Sequence, residues 1–243
     1  MSAKNVGVER ALERTVPARV NLRQVCLVGL VVAVVGAISA GCADTIFVDY
    51  QPQWWGPRIA DGNRLTVKVV VHDARNDPTR VGMKKTFAWM GLLGTLLGSG
   101  PIVTTNDVAV FVEDNLQNEF RRRGFRSSGP GSVLVVVTLN HFFNEFRTGV
   151  LSNDAEAEVR VYVRVYKGPV ERGTPIYHGH FEGSAVEENV RTEGGETAKL
   201  ALDAAFADLV RKVLSNDRLL TAILEMAPPE PPAAAPSNTP PSS

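Results

Sequence analysis

The chain has 243 residues, of which 44 % are hydrophobic, and it carries 26 basic and 26 acidic residues. This length suits one domain with tails, and the balanced charge excludes the strong basic footprint of a nucleic-acid-binding protein. The charge is unevenly placed, because residues 1–42 hold five basic residues against two acidic ones. A positive segment therefore opens the chain.

An apolar run from Val25 to Ala40 follows this positive segment. As a helix it would reach about 24 Å, whereas the hydrocarbon core of a bilayer is about 30 Å thick. A positive segment before a short apolar run is typical of a secretory signal peptide. We therefore predict that residues 1–41 are a cleaved signal peptide, with an uncleaved membrane anchor as the alternative.

Cys42 follows the small residues Ser39, Ala40 and Gly41 at the end of the apolar run. This pattern resembles the bacterial lipobox, in which the cysteine sulfur is acylated before cleavage, although the lipobox usually has leucine where Ser39 stands. The resemblance implies a lipoprotein anchored in the membrane by acyl chains such as palmitate at Cys42, and two or more chains anchor stably. Ala43, where an aspartate would retain the protein in the inner membrane, implies the outer membrane. An ordinary cleaved signal is the remaining alternative.

The first part of the mature chain combines a loop-like stretch, a strand and an unusual apolar segment. Residues 42–63 contain proline, glutamine and tryptophan, which predicts an irregular tether. A β-branched run over residues 65–71 predicts the first strand of a domain that covers residues 64–226. Residues 84–103 mix leucine with four glycines, and the stretch is too short and too glycine-rich to span a bilayer. They could cover the core, contact a partner or enter lipid.

Apolar residues at helical spacing next predict a helix, with Asn106 as its N-cap residue and its end before Gly124. Three strands follow, over residues 132–146, 155–166 and 175–186. The middle strand alternates apolar and polar residues, which predicts one buried face and one wet face.

Two helices, over residues 193–214 and 217–226, close the domain, and the Pro-rich residues 227–243 predict a disordered tail. The element order is thus β-α-β-β-β-α. We expect an α+β fold in which helices pack on one face of a largely antiparallel sheet.

From Leu65 to Leu224 the chain resembles the YajG-type bacterial lipoproteins. The resemblance rests on Cys42 and on four stretches of sequence: HDAR, FRRRGF, VLVVVTLNHF and YHGHFEGSAV. These motifs are structural, so the resemblance implies a fold and an envelope location. The apolar residues 84–103 and the Pro-rich tail depart from the family.

The sharpest candidate for chemistry is the series His178, His180 and Glu182. Alternate residues of a strand lie on one face about 7 Å apart, and two imidazoles with a carboxylate can bind zinc. A solvated polar face is the alternative, and we expect no metal and no other cofactor. No nucleophile elbow, zinc-protease motif or phosphate-binding loop occurs in the chain, so we expect no catalytic residue and no enzyme.

The sequence therefore predicts a non-enzymatic binding protein of the bacterial cell envelope. We expect it to be lipid-anchored on the periplasmic side of the outer membrane and to bind an unknown envelope protein, and not nucleic acid. The open sheet face and residues 87–97 are the expected contact surfaces. The alternative function is an accessory lipoprotein subunit of a lipid or solute transporter.

Overall fold

The computed structural model covers the domain, and every described residue belongs to one compact unit. The predicted signal peptide, Cys42, the apolar residues 87–97 and nearly all of the Pro-rich tail lie outside the described residues. The structure describes residues 43–52, 58–59, 62, 64–84, 100–127, 129, 132–148, 153–190 and 194–227.

A mixed sheet organises the described part of the chain, and its longest pairings are antiparallel. Its seven strands are β1 (Asp44–Ile46), β2 (Thr66–Asp73), β3 (Arg80–Met83), β4 (Pro101–Thr104), β5 (Ser132–Thr148), β6 (Asn153–Lys167) and β7 (Tyr177–Val190). The strand order is β1-β4-β3-β5-β6-β7, and β2 also pairs with β5, in parallel. The α+β prediction is confirmed, although the sequence reading missed the short strands β1, β3 and β4.

The three helices pack against this sheet: α1 (Val108–Arg122), α2 (Gly195–Leu214) and α3 (Asp217–Leu224). The alternation predicted for the middle strand is confirmed, because every apolar residue of β6 from Ala155 to Val165 is at most 1 % exposed. Helix α2 approaches β7 so closely that a Cβ added at Gly183 would lie 2.2 Å from the carbonyl oxygen of Ala205. Only glycine fits at that crossing.

The opposite face of the sheet is mostly open, as expected, but one end of it is covered. A second apolar cluster, formed by Leu134, Val136 and Tyr166, lies on this face. The loop after β6 reaches over it, since the hydroxyl of Tyr166 donates a hydrogen bond to Glu171 at 3.1 Å. The open part of this face is therefore formed by residues of β6 that precede Tyr166 and by their neighbours.

The start of helix α1 differs from the predicted cap. Asp107 is the N-cap residue, and its carboxylate accepts hydrogen bonds from the backbone N–H groups of Ala109 and Val110 at 2.8 and 3.2 Å. The prediction of Asn106 was wrong because its side chain serves another segment, bonding to both the N–H and the C=O of Val48. Gly124 follows the helix with a φ of 107°, as the C-terminal signal predicted.

Residues 44–50 belong to the domain, in contrast to the irregular tether predicted for residues 42–63. Strand β1 pairs in parallel with β4, with Asp44 opposite Ile102. The alternate residues Ile46, Val48 and Tyr50 are at most 5 % exposed. This alternation is a strand signal that the neighbouring proline, glutamine and tryptophan residues obscured.

Side chains of α1 cap the outer edge of β2. The amide of Gln117 accepts a hydrogen bond from the N–H of Val69 and donates one to the C=O of Val67, both at 2.9 Å. Glu113, one turn earlier, accepts from the N–H of Val71 at 3.0 Å. These backbone groups would otherwise be open to pairing with another strand.

Helix α2 caps the outer edge of β7 in the same way. The carboxylate of Asp208 accepts a hydrogen bond from the N–H of Ser184 at 3.3 Å, and the ammonium group of Lys212 donates to the C=O of Glu182 at 2.8 Å. In both helices the two capping residues are four positions apart, the spacing that places them on one helix face. The β2 and β7 edges are thus occupied at their centres by the protein itself.

Candidate functional site

The open part of the sheet carries a group of aromatic and charged side chains from β6 and β7. We call this group the open-face patch: Arg160, Tyr162, His178, His180 and Glu182. Cross-strand pairing places Tyr162 opposite His180 and Arg160 opposite Glu182. The ring of Tyr162 lies 4.6 Å from that of His180 and 6.1 Å from that of His178. The patch is therefore a surface of tilted aromatic rings flanked by an ion pair.

The charges of the patch neutralise one another. Arg160 donates a hydrogen bond from Nη2 to Glu158 at 2.7 Å, and its Nε lies 3.6 Å from Glu182. The hydrogen bond to Glu158 raises the pKa of Arg160 above its usual range. Such a surface offers ring faces and charge-assisted hydrogen bonds, which are the contacts that protein interfaces favour.

The structure brings the three metal candidates onto one exposed face, as the alternation predicted. Glu182, however, is directed towards Arg160, and both histidines flank Tyr162. Within the residues that the structure describes, no three histidine, cysteine or carboxylate side chains are grouped closely enough to hold a metal ion. The arrangement favours recognition of a surface over coordination of an ion.

A β-bulge in β5 joins this patch to a small cavity. The register with β6 shifts between Leu139 and His141, so that His141 lies opposite Arg160. Bulges often redirect a side chain towards a site. Here the redirected His141 contributes to a cavity of about 340 Å³. Its lining residues are Arg75, Asn76, Asp77, Arg80, Asn140, His141, Phe142 and Phe143.

The cavity combines polar and aromatic side chains, and buried guanidinium nitrogens of Arg75 (Nη1) and Arg80 (Nε) have no hydrogen-bond partner among the described residues. The side chain of Arg75 is 6 % exposed and pairs with Asp73, within the HDAR stretch, at 2.7 Å. Burial raises the pKa of Asp73, but the hydrogen bonds from Arg75 outweigh it and the pKa lies below its usual range. Burial lowers the pKa of His141, which disfavours its charged form.

The second candidate region is the end of the sheet at which β1 begins, and we call it the anchor end. Asp44 accepts a hydrogen bond from the N–H of Gly195 at 2.9 Å, and its other carboxylate oxygen pairs with the ammonium group of Lys84. The N–H of Lys84 donates to the C=O of Gly100 at 2.9 Å. These contacts join the start of β1, the start of α2 and the two ends of the apolar segment 85–99.

The role of Asp44 was missed by sequence reasoning, because no motif marks a carboxylate whose partners are 40 and 151 positions away. One weak signal is present in Gly195. A Cβ at that position would lie 2.6 Å from a methyl group of Ile46, so the glycine allows the helix to begin against β1. Among the described residues, no helix is both long and apolar enough to cross a membrane.

Comparison with known families finds one match. A family model described as "Uncharacterized lipoprotein" matches residues 59–224. No curated protein matches this chain in sequence.

Three solved structures resemble the chain weakly. Protein XCC0632 from Xanthomonas campestris (family-model DUF330) is 11 % identical, with a TM-score of 0.45, and the match covers 76 % of this chain and 95 % of that one. A "putative lipoprotein" from Caulobacter crescentus is 16 % identical, with a TM-score of 0.34 and coverages of 49 % and 83 %. A "putative neuraminyllactose-binding hemagglutinin homolog" from Helicobacter pylori is 10 % identical, with a TM-score of 0.37 and coverages of 74 % and 97 %.

Proposed function

Because this chain belongs to the family described as uncharacterized lipoproteins, we propose that it is a lipid-anchored envelope protein with a non-enzymatic binding role. Family membership implies a lipid anchor, and Cys42 is the residue that the lipobox pattern assigns to it. The YajG-type resemblance stays a prediction. Ala43 supports delivery to the periplasmic side of the outer membrane.

The open-face patch is the single observation that carries the binding role. Strands β6 and β7 are covered by helices on one side, whereas His178, His180 and Glu182 are exposed on the other. Tyrosine and arginine, which are enriched in protein interfaces, lie at its centre. Because helix side chains occupy the centres of the β2 and β7 edges, a partner is expected to bind the face beside them and not to add a strand to either edge.

The chemistry of the patch supports recognition and not catalysis. Catalysis by a histidine needs a nucleophile or a reacting group that the imidazole can activate. Here His178 and His180 have the Tyr162 ring as their neighbour, and Arg160 is paired with Glu158. The side chains therefore interact mainly with one another and hold a fixed surface.

Photo-crosslinking in living cells tests the binding role. A photoreactive residue at Tyr162 is expected to capture a distinct envelope protein. Leu200, which is 56 % exposed on helix α2, provides the matched position on the other side of the molecule and is expected not to capture it. Identical patterns at both positions, or no adduct at Tyr162, would contradict the proposal.

A second candidate function is an accessory subunit of a lipid or solute transporter. The observation in its favour is that the apolar segment begins at the anchor end, where Lys84 contacts Asp44. Recovery of transporter subunits from cross-linked membranes would favour this function, and recovery of a soluble periplasmic partner would favour the first.

The anchor itself is tested by Cys42→Ser. This variant is expected to lose acyl labelling and membrane retention, because the acyl chains are attached at Cys42. The wild-type protein is expected in the outer-membrane fraction of a density gradient. Unchanged membrane retention of Cys42→Ser would show that the apolar run before it is the anchor.

A further inference from the structure

We propose that the cavity beside the bulge of β5 is a binding site for a single carboxylate group. This site goes beyond the proposed role of the open-face patch, because a ligand can fill it without the lipid anchor and without a protein partner. The strand pairing that forms the cavity and the guanidinium groups that line it support the assignment.

The cavity lies in a gap along one edge of β5. Strand β2 pairs in parallel with β5 as far as Asp73, opposite Leu139, and β3 pairs in parallel with β5 from Gly82, opposite Asn144. Because β6 pairs with the other edge of β5, residues 140–143 fall between the two parallel pairings. The loop from β2 to β3 supplies the facing wall, and the enclosed volume of about 340 Å³ is within the range of small-ligand sites.

Arg75 is held in the cavity wall with one nitrogen unpaired. Its Nε and Nη2 donate hydrogen bonds to Asp73 at 3.0 and 2.7 Å, and Nη2 also donates to the C=O of Pro78 at 2.7 Å. Its Cζ lies 5.9 Å from the centre of the Phe142 ring. The remaining nitrogen, Nη1, is buried and has no hydrogen-bond partner within the part of the chain that the structure describes. A buried donor without an acceptor costs free energy, so this fixed side chain favours an added acceptor.

Arg80, the first residue of β3, contributes a second unpaired nitrogen to the same cavity. Its Nη2 contacts the sulfur of Met83 at 3.0 Å, which is a weak acceptor, and its Cζ lies 5.8 Å from the centre of the Phe143 ring. Its Nε is buried and has no partner among the residues described. The two arginines therefore offer two nitrogen donors, which match in number the two oxygens of one carboxylate.

The charge of the site favours a carboxylate over a phosphate. Asp77 also lines the cavity, and its Oδ1 accepts hydrogen bonds from the N–H and the hydroxyl of Thr79 at 3.2 and 2.8 Å. Together with Asp73, which pairs with Arg75, it balances the two arginines in formal charge. A dianion would leave excess negative charge in a partly buried site, whereas a monoanion gains charge-assisted hydrogen bonds that a neutral carbonyl group lacks.

The rest of the wall suits a flat, apolar body attached to the carboxylate. The remaining lining side chains are amides and rings: Asn76, Asn140, His141, Phe142 and Phe143. Aromatic rings pack well against another ring. Benzoate is therefore a suitable probe, and benzamide has nearly the same shape without the charge.

Titration of the full mature protein in detergent micelles tests the site. The amide resonances of Asn140 and His141 are followed while benzoate, benzamide or inorganic phosphate is added at constant ionic strength. Benzoate is expected to shift these resonances to saturation and to bind at least about tenfold more tightly than benzamide or phosphate. The absence of a saturable shift with benzoate, or equally tight binding of benzamide or phosphate, would overturn the proposal.

Substitution of Arg80 tests the guanidinium donors. Arg80→Gln is expected to weaken benzoate binding by roughly tenfold. Arg80→Lys keeps the charge but lacks the Nε–H, and it is expected to show the same loss if Arg80→Gln does not fold. Arg147→Gln is the matched control, because Arg147 on β5 is 69 % exposed, and it is expected to change binding by less than about twofold. Full affinity of both Arg80 variants, or an equal loss with Arg147→Gln, would overturn the proposal.

The source of the carboxylate is identified by photo-crosslinking from Tyr162 in the Arg80→Gln background. Loss of the adduct would assign the carboxylate to the protein partner, since His141 of the cavity lies opposite Arg160 of the open-face patch. An unchanged adduct would assign it to a free small molecule. The absence of any adduct in the unsubstituted protein would contradict the proposed binding role, whereas the benzoate titration tests the cavity independently of that role.

Discussion

The two faces of strand β6 show how one strand can serve two purposes. On the covered face, alanine and valine side chains from Ala155 to Val165 are at most 1 % exposed beneath the helices. On the other face, Arg160 is exposed and Tyr162 is half-buried. The covered face therefore supplies the hydrophobic stability, and the open face can change without loss of the fold.

The largest difference in stability is expected between substitutions of neighbouring residues on opposite faces of the sheet. Gly183→Ala is expected to destabilise the protein by about 3 kcal/mol, because its Cβ would lie 2.2 Å from the C=O of Ala205 and 2.5 Å from the N–H of Leu209. Ser184→Ala, on the open face, is expected to change stability by less than about 0.5 kcal/mol. Denaturant midpoints measure both, and equal effects would contradict the close helix–strand packing.

The next effect concerns the sheet edges. Gln117→Leu removes both bonds to β2 and leaves a half-buried N–H and C=O without partners, which is expected to cost about 2 kcal/mol. Asp208→Leu at the β7 edge also removes the ion pairs of Asp208 with Arg211 and Lys212. It is expected to cost less, about 1 kcal/mol, because water can replace the exposed 3.3 Å bond to Ser184 and exposed ion pairs contribute little. The free energies of unfolding of the two variants test this order. A larger loss of stability for Asp208→Leu than for Gln117→Leu would contradict this order.

A smaller change in stability is expected from substitution of Glu119, a carboxylate on the covered side that is 3 % exposed. Burial raises the pKa of Glu119, although Arg122 and Tyr50 act against the shift. The folded state therefore holds the proton more tightly than the unfolded state, and stability falls as the pH rises above about 4. The loss of stability caused by ionisation of Glu119 is complete once the pH exceeds the raised pKa of this carboxylate.

Glu119→Gln is accordingly expected to stabilise the protein at neutral pH and to flatten the dependence of stability on pH. Thermal unfolding measured across the acidic range tests the sign. Asp114→Asn, an exposed position on the same helix, is the matched control. A lower melting temperature for Glu119→Gln at neutral pH would mean that the ionised carboxylate is stabilising.

The smallest effect on stability is expected on the open face itself. Tyr162→Ala loses the ring contact with His180 and is expected to cost no more than about 1 kcal/mol. Partner binding is expected to weaken by roughly 30-fold, as for a tyrosine at the centre of an interface. Unfolding midpoints and partner recovery separate the two effects. Full recovery with Tyr162→Ala would remove this residue from the binding surface.

Sequence patterns predicted the long elements because their signals are local. The alternation in β6 and the apolar stripe of α1 each extend over many residues, and both are present in the structure. The short strands β1, β3 and β4 have three or four residues each. Such strands are stabilised by pairing with distant segments, which no local pattern reveals.

The candidate site was predicted only in part, because local spacing does not reveal contacts with a neighbouring strand. Period-two spacing placed His178, His180 and Glu182 on one face, but it could not reveal Tyr162 between the histidines or Arg160 beside Glu182, since both come from the neighbouring strand. The anchor end was not predicted at all. Its key residue, Asp44, lay within the stretch that the sequence suggested was an irregular tether.

Mass spectrometry of the N-terminal peptide from membrane-purified protein tests whether Cys42 is the lipid anchor. We expect a mature chain that begins at Cys42, with diacylglycerol on its sulfur and an acyl group on its amine. A peptide in which residues 1–41 are still joined to an unmodified Cys42 would show that the protein is not attached through lipid.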